Sequence, residues 1–402
     1  MTELSGDVMK NQLNIIALNY SSHQALELAS CHDFGSTRMP SPDNHGYSRP
    51  DTLGVSTCIL GIAPCMYLGE FDEYGYYCAN KPMPINEIST WCTSLVYDGV
   101  TFNADLLSSY TKNDDSNINT LGSSGKSLYL YYGYTTQEAW MEAISSSNAS
   151  VSLEKISNFL TPFNVSGLIL KNLNYDYNSN LDFHFDTTFF SSLKEYVILL
   201  KNKIPNLSIG LYVSASHMIF YSDNSMSPDW FDFTVLNDVM DYFIIGFHDF
   251  NPCNEFFKGG IVPINNVLNS THSLTTFEKA LNSSTIARDK IYLEFSVNPT
   301  PNVTSTEYLP TCSVTYKKFC EADNYDIYWC ADSAASFYKK GWFAKNMQAQ
   351  GIVSKYIDTI DPTAQCDCDS KNKFITFSIM IRGFTGRHSI NDCVKLNNVS
   401  HT

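Results

Sequence analysis

Short apolar runs recur along the chain, and segments with helical spacing separate several of them. Apolar runs occur at 58–68, 92–102, 125–134, 207–215 and 241–250. Runs with so few polar interruptions are typical of parallel strands that are covered on both faces. The pattern therefore predicts buried strands at these places.

Helical periodicity is visible in three segments. A Thr-Thr-Gln-Glu sequence at 135–138 predicts a capping box, so a helix should begin directly after Tyr134. Two further segments, 152–163 and 189–203, place their apolar residues on one helical face. Strands that alternate with helices at this spacing pair in parallel, which predicts a closed or doubly wound α/β sheet.

The apolar segments also carry motifs of one known family, in the order in which that family has them. Segments 125–134 and 164–177 are similar to K-V-L-L-A-I-G-G-W and F-D-G-x-D-x-D-W-E-Y. Segments 207–215 and 241–250 are similar to L-L-L-T-A-A-V-P-A and D-F-I-N-V-M-T-Y-D-F. In this shared order the chain resembles the family 18 glycoside hydrolases, the chitinases and chitinase-like proteins.

The resemblance continues towards the end of the chain. Segment 356–362 resembles the Y-D-D-P segment of the family, and 374–384 resembles its last barrel strand. The family fold is a (β/α)8 barrel of the α/β class, so the resemblance implies that fold here.

The implied barrel divides the chain into parts. It covers 56–392, with a small cysteine-containing insertion at 299–345 before the last strands. Residues 1–55 are then an N-terminal extension or linker, because they have no counterpart in the family. Residues 393–402 form a C-terminal tail.

The catalytic motif of the family is degenerate in this chain. Setting Gly167 on the motif glycine places Ile169 and Lys171 on the two later aspartates and Leu173 on the glutamate. In the family the aspartate orients the acetamido group of the substrate and the glutamate protonates the leaving oxygen. Leu173 cannot donate a proton, and Lys171 would repel the positive charge of the transition state. The resemblance implies no catalytic residue here, the alternative being an active glycosidase with a relocated acid such as Asp176.

Residues two apart on a strand share a face, so the three substituted side chains should all point into the mouth of the barrel. Four further positions are implied as ligand contacts. Tyr134 stands for an aromatic after the third strand, and His248 and Asp249 stand for the tyrosine and aspartate of M-x-Y-D. Phe377 falls where the family often has a tryptophan under the sugar. Equally, an aromatic in a barrel is often plain core, and a histidine beside a carboxylate is often structural.

These residues lead to two hypotheses about the partner. In the first, a chitin-like glycan of the N-acetylglucosamine type stacks on Phe377, while Tyr134 and Asp249 hydrogen-bond at the rim. In the second, the protein is a secreted scaffold or effector that binds an extracellular protein and no sugar. The exchanges at His248 and Phe377 favour the second, but the leading hypothesis is the first, a catalytically inactive chitinase-like protein, and the scaffold is its alternative.

Composition excludes several other classes of function. The formal net charge of −15 disfavours a nucleic-acid partner because it repels phosphates. The longest apolar runs fall short of the roughly 20 residues of a membrane span. There is no glycine-rich phosphate loop, and Cys366 with Cys368 make a weak zinc signal, so no cofactor and no metal are predicted.

The chain has 12 cysteines and eight N-x-S/T sequons. The resemblance implies a disulfide between Cys65 and Cys92, although either thiol could instead be buried apolar packing. Glycosylation is predicted at a set of sequons: Asn148, Asn206, Asn269, Asn282 and Asn302. We favour an extracellular glycoprotein over an intracellular protein with reduced thiols, although residues 1–10 do not resemble a secretory leader.

Overall fold

The computed structural model describes most of the chain from residue 59 onwards. The described residues are 59–67, 84–102, 107–108, 112–173, 188–223, 232–268, 271–301, 316, 329–360, 374–388 and 396. Several predictions lie outside them: the extension 1–55, the acid Asp176, the sequons Asn269 and Asn302, and the cysteines Cys366 and Cys368.

Eight parallel strands close into a barrel. The described strands are β1 Pro64–Tyr67, β2 Ser94–Phe102, β3 Leu107–Ser108, β4 Ser127–Tyr134, β5 Gly167–Lys171, β6 Ser208–Ser214, β7 Tyr242–Gly246, β8 Ile291–Ser296, β9 Thr300–Pro301, β10 Trp329–Cys330 and β11 Gly351–Lys355. The parallel ladder runs β1, β2, β4, β5, β6, β7, β8 and β11, and β11 pairs again with β1. The α/β barrel that the resemblance implies is therefore confirmed.

Three short strands lie outside this ladder. Strand β3 pairs antiparallel with β2, and β9 pairs antiparallel with β10. The β9–β10 pair lies within the predicted insertion 299–345, and between Pro301 and Trp329 the structure describes Tyr316 alone.

Helices follow most of the barrel strands. The described α-helices are α1 Lys112–Gly122, α2 Gln137–Ile144, α3 Ala149–Leu160, α4 Thr188–Lys203, α5 Ala215–Asp223, α6 Phe233–Leu236, α7 Leu274–Ser283, α8 Ala334–Asn346 and α9 Ile375–Thr385. The predicted start after Tyr134 is confirmed, because the side chain of Thr136 accepts a hydrogen bond from the Ala139 N–H and caps α2. No described helix is long and apolar enough to cross a membrane.

The segment 374–384 is a helix and not the last barrel strand. Helix α9 covers it and ends at Gly386, which has the left-handed backbone typical of a helix C-terminus. The eighth strand is β11, which closes the barrel. The prediction was wrong because an apolar run buried on all sides has no periodicity that separates strand from helix.

Two buried layers lie on either side of the barrel sheet. The larger packs the sheet against the helices, and the smaller fills the barrel interior. Tyrosines dominate the interior: Tyr129, Tyr131, Tyr242 and Tyr292, with the partly buried Tyr212 packed on them. Their rings fit because the facing positions are small. A Cβ on Gly210 would lie 2.0 Å from the Tyr242 ring, which no real packing tolerates.

Two disulfide bonds cross-link the described part of the barrel. Cys65 on β1 bonds to Cys92 before β2, with 5.4 Å between the Cα atoms, so the implied pair is confirmed. Closing 27 residues stabilises the fold by about 3 to 4 kcal/mol on the loop-entropy account. Cys253, after β7, bonds to Cys330 on β10. The sequence analysis assigned no partner to either of these two cysteines.

Candidate functional site

The carboxyl ends of the eight strands meet at one end of the barrel, which is where side chains from different strands can converge on a ligand. We call this end the mouth. Its interior-facing or rim residues form one connected group: Asp98, Tyr131, Lys171, Tyr212, His248, Asp249, Glu294, Lys355 and Tyr356.

Ile169 and Lys171 face the barrel interior, as predicted. Ile169 is fully buried in the interior cluster. The Lys171 ammonium forms an ion pair with Asp98, which lies at the irregularity in the middle of β2, and is 5.8 Å from the centre of the Tyr131 ring. A cation therefore occupies the end of β5.

Leu173 does not face the mouth, which contradicts the prediction of a common face. Strand β5 ends at Lys171, and Asn172 takes a φ of 59°, so the strand alternation stops before Leu173. Leu173 is buried in the cluster between sheet and helices. Leu173 therefore does not occupy the position in the mouth that the alignment with the motif glutamate predicts.

The structure also places Tyr134 away from the mouth, where the sequence analysis had predicted a ligand contact. It packs in the layer between sheet and helices, with its centroid 5.0 Å from that of Trp140, and its hydroxyl lies 2.6 Å from the Ser152 Oγ. The side chains of β4 that face the interior are those of Tyr129 and Tyr131. Tyr134 is three residues after Tyr131, so its side chain lies on the opposite face of the strand. A contact of Tyr134 with a ligand in the mouth is excluded.

Phe377 cannot form the floor of a sugar site either. It lies in α9 and is fully buried among helices and sheet. The aromatic residue that follows the last strand is Tyr356, which is partly exposed and packs on the interior cluster. The Lys355 ammonium lies 5.3 Å from the centre of its ring. Sequence reasoning missed Tyr356 because it assigned the last strand to the wrong segment.

His248 and Asp249 lie at the mouth and contact each other. The His248 Nε2 is 2.5 Å from the Asp249 Oδ2, and its Nδ1 is 2.6 Å from the Tyr212 hydroxyl. Burial, together with nearby carboxylates, raises the pKa of Tyr212 well above its ordinary value, so the phenol keeps its proton. The Nε2–H of His248 therefore donates to the Asp249 carboxylate, and a second hydrogen bond links Nδ1 to the Tyr212 hydroxyl.

Asp249 is shifted in the opposite direction. Desolvation by neighbouring groups favours its neutral form, but the hydrogen bond and charge of His248, with the charges of Lys355 and His217, outweigh this effect and lower the pKa of Asp249. Its side chain is 75% exposed. Asp249 is therefore a carboxylate that a ligand can reach.

Glu294 is the carboxylate that sequence reasoning missed. It lies on β8, is 1% exposed, and its Oε2 accepts a 2.7 Å hydrogen bond from the Tyr131 hydroxyl. Its Oε1 is 3.9 Å from the Lys355 Nζ and makes no hydrogen bond within the described part of the chain. A single acidic residue inside the apolar run of β8 was the signal that could have indicated it.

The described sequons remain predictions. Asn206 and Asn282 are exposed, as glycan carriers must be. The Asn148 amide instead donates to the Glu142 carbonyl at 3.2 Å. Among the described residues, no group of three or more histidine, cysteine, aspartate or glutamate side chains could hold a metal ion.

Solved structures with a similar fold include chitinases and a pseudo-chitinase. A mutant of catalytic domain 2 of the Ostrinia furnacalis Group II chitinase, solved with (NAG)5, has a TM-score of 0.61 at 14% identity and covers 83% of this chain and 99% of its own. An immunomodulatory active chitinase from Trichuris suis has a TM-score of 0.60 at 15% identity, covering 80% and 98%.

A third neighbour is human YKL-39, described as a pseudo-chitinase with retained chitooligosaccharide binding properties. Its TM-score is 0.56 at 13% identity, and the match covers 81% of this chain and 100% of that chain. No family model and no curated protein matches the sequence. At these identities the likeness shows the fold, which both active and inactive proteins share.

Proposed function

We propose that this protein is a catalytically inactive chitinase-like protein that binds an N-acetylglucosamine-type glycan at the mouth of its barrel. The observation that carries the inactive part is the Lys171–Asp98 ion pair at the end of β5. A cation at this place opposes the oxocarbenium-like charge that a glycosidase must stabilise.

The described carboxylates of the mouth are also engaged. Asp98 pairs with Lys171, Asp249 with His248, and Glu294 accepts from Tyr131. Glycoside hydrolysis needs a general acid that presents its proton to the leaving oxygen, a contribution of about 100- to 10,000-fold. None of these three groups is arranged as a proton donor towards a ligand.

Glycan binding is supported by the shape and chemistry of the rim. Tyr356 offers a partly exposed ring at the end of the last strand, and Asp249 offers an exposed carboxylate. An aromatic face with a few polar groups is the usual composition of a carbohydrate or small-molecule site. Neighbours of the same fold are described with bound chitooligosaccharides.

The test is a titration of the purified protein with chitopentaose, beside a hydrolysis assay. We expect binding without turnover, and we expect Tyr356→Ala to weaken binding by about 1 to 3 kcal/mol because a stacking ring is lost. Phe377→Leu is the matched control, since this buried aromatic lies in α9. Turnover by the wild type would contradict inactivity. An unchanged affinity of Tyr356→Ala would contradict the assignment of Tyr356 as the ring on which the sugar stacks.

A second candidate function is an extracellular scaffold or effector that binds a protein and no sugar. The observation in its favour is a set of exposed apolar side chains after β7, where Phe256, Val267 and Leu268 are 50%, 44% and 41% exposed. Exposed apolar groups of this kind are typical of interaction surfaces when they lie together. Absence of chitopentaose binding by the wild type would favour this candidate.

Both candidates place the protein outside the cell. The two disulfides support this, because structural disulfides persist in oxidising compartments. Detection of the processed protein in the medium of expressing cells is the expected result.

A further inference from the structure

The Glu294 carboxyl group and the Lys355 ammonium face each other but are too far apart for a direct hydrogen bond. The Oε1 to Nζ distance is 3.9 Å, whereas N–H···O hydrogen bonds span about 2.7 to 3.2 Å. Glu294 is 1% exposed, so its Oε1 is a carboxyl oxygen buried without a hydrogen bond from any described residue. Leaving such an atom unsatisfied is costly, and the usual remedy is a third group between the two.

Lys355 lies nearer to the mouth than Glu294 does. On β8, Tyr292 and Glu294 face the interior, and Val353 is the register partner of Glu294 on β11. Lys355 lies two residues beyond Val353, at the carboxyl end of the strand, and its side chain is 15% exposed. A group that enters from the mouth therefore meets Lys355 first and Glu294 beneath it.

The chemistry of the two partners selects the group. An ammonium such as that of Lys355 only donates hydrogen bonds, and a carboxylate that pairs with it only accepts them. A bridging atom must accept from one and donate to the other, which an ammonium, a carboxylate or a carbonyl cannot do. A hydroxyl can, and one oxygen about 2.8 Å from both atoms closes a triangle over the 3.9 Å gap.

We propose that Glu294 and Lys355 form a hydroxyl-binding subsite beneath the mouth, which takes one hydroxyl of a carbohydrate ligand. The proposal rests on the glycan binding proposed above and assigns residues to it. The Tyr131 hydroxyl holds the other carboxylate oxygen at 2.7 Å, so the Oε1 is aimed at the gap before a ligand arrives. In the absence of sugar, a water molecule can make the same two hydrogen bonds, one to each side chain.

The experiment is isothermal titration of the full chain with chitopentaose, using two variants. Lys355→Met removes the donor and should weaken affinity about ten- to hundredfold, the range for a hydrogen bond to a charged group. Glu294→Gln removes the charge and should weaken it about tenfold. Glu278→Gln, on the exposed face of α7, is the matched control and should leave affinity unchanged.

The outcomes separate the glycan site from the hydroxyl subsite. If Tyr356→Ala weakens binding while folded Lys355→Met does not, the glycan site stands and the subsite is overturned. If the wild type binds no chitopentaose, both the proposed function and the subsite fall. Should Glu294→Gln fail to fold by its melting curve, Lys355→Met carries the test, because its side chain is partly exposed. A crystal structure of the complex with only water between Oε1 and Nζ would also overturn the subsite.

Discussion

Two lysine–aspartate pairs in this protein have the same chemistry in different surroundings. Lys340 of α8 pairs with Asp332 at 2.6 Å, with side-chain exposures of 1% and 11%. Lys171 pairs with Asp98 at the mouth, where the exposures are 17% and 35%. Both ammonium groups also lie 5.8 Å from the centre of an aromatic ring.

The buried pair is completed by further hydrogen bonds. The Asp332 Oδ1 accepts from Ser336 at 2.5 Å, and the Asp332 N–H donates to the Tyr316 hydroxyl at 2.8 Å. Gly260 is required beside it, because a Cβ there would lie 2.3 Å from the Oδ1. At the mouth, the described residues give the Asp98 carboxylate no further hydrogen bond besides its contact with Lys171. A fully satisfied buried pair is a structural element, whereas a partly exposed pair can be exchanged for a ligand.

The largest expected effect is on the buried pair. Lys340→Met leaves the Asp332 carboxylate buried without its cation, which should lower the free energy of unfolding by about 3 to 5 kcal/mol. Urea denaturation measures this. Lys194→Met is the matched control, because Lys194 pairs with Asp238 at 3.4 Å on the surface and should change stability by less than about 1 kcal/mol. Equal effects of the two substitutions would refute the contrast.

A smaller effect is expected at the mouth. Asp98→Asn should lower the free energy of unfolding by about 0.2 to 1 kcal/mol, because water screens a pair that is this exposed. Urea denaturation at low and high salt checks it, with a smaller difference at high salt. A loss as large as that of Lys340→Met would show that the mouth pair is structural.

The smallest expected effect depends on pH and concerns Asp249. Its pKa is lowered in the folded protein, so its contribution to stability is fully present above its unfolded pKa of about 3.9. That contribution is lost as pH falls through the lower, folded value. Melting temperatures of wild type and Asp249→Asn should therefore converge below that range. A difference that persists or grows in acid would contradict the assignment of His248 as its partner.

Local patterns in the sequence determined much of the fold. The helix starts near Tyr134, the strands at 125–134 and 207–215 and the alternation of strand and helix all follow from periodicity and capping, which depend on neighbouring residues. The interior positions of Ile169 and Lys171 follow from the period of two within one strand. The family resemblance supplied the Cys65–Cys92 bond and the closure of the sheet.

Only the tertiary structure decided which side chains meet. Tyr131 and Glu294 are 163 residues apart, and no local pattern places their atoms 2.7 Å from each other. The strand phase turned Tyr134 outwards, and the positive φ of Asn172 ended the alternation before Leu173. The sequence determines the period of each element, because the period depends on short-range sterics and burial. The face and partner of a side chain depend on where the element docks, and barrel closure sets that through contacts between strands far apart in the chain.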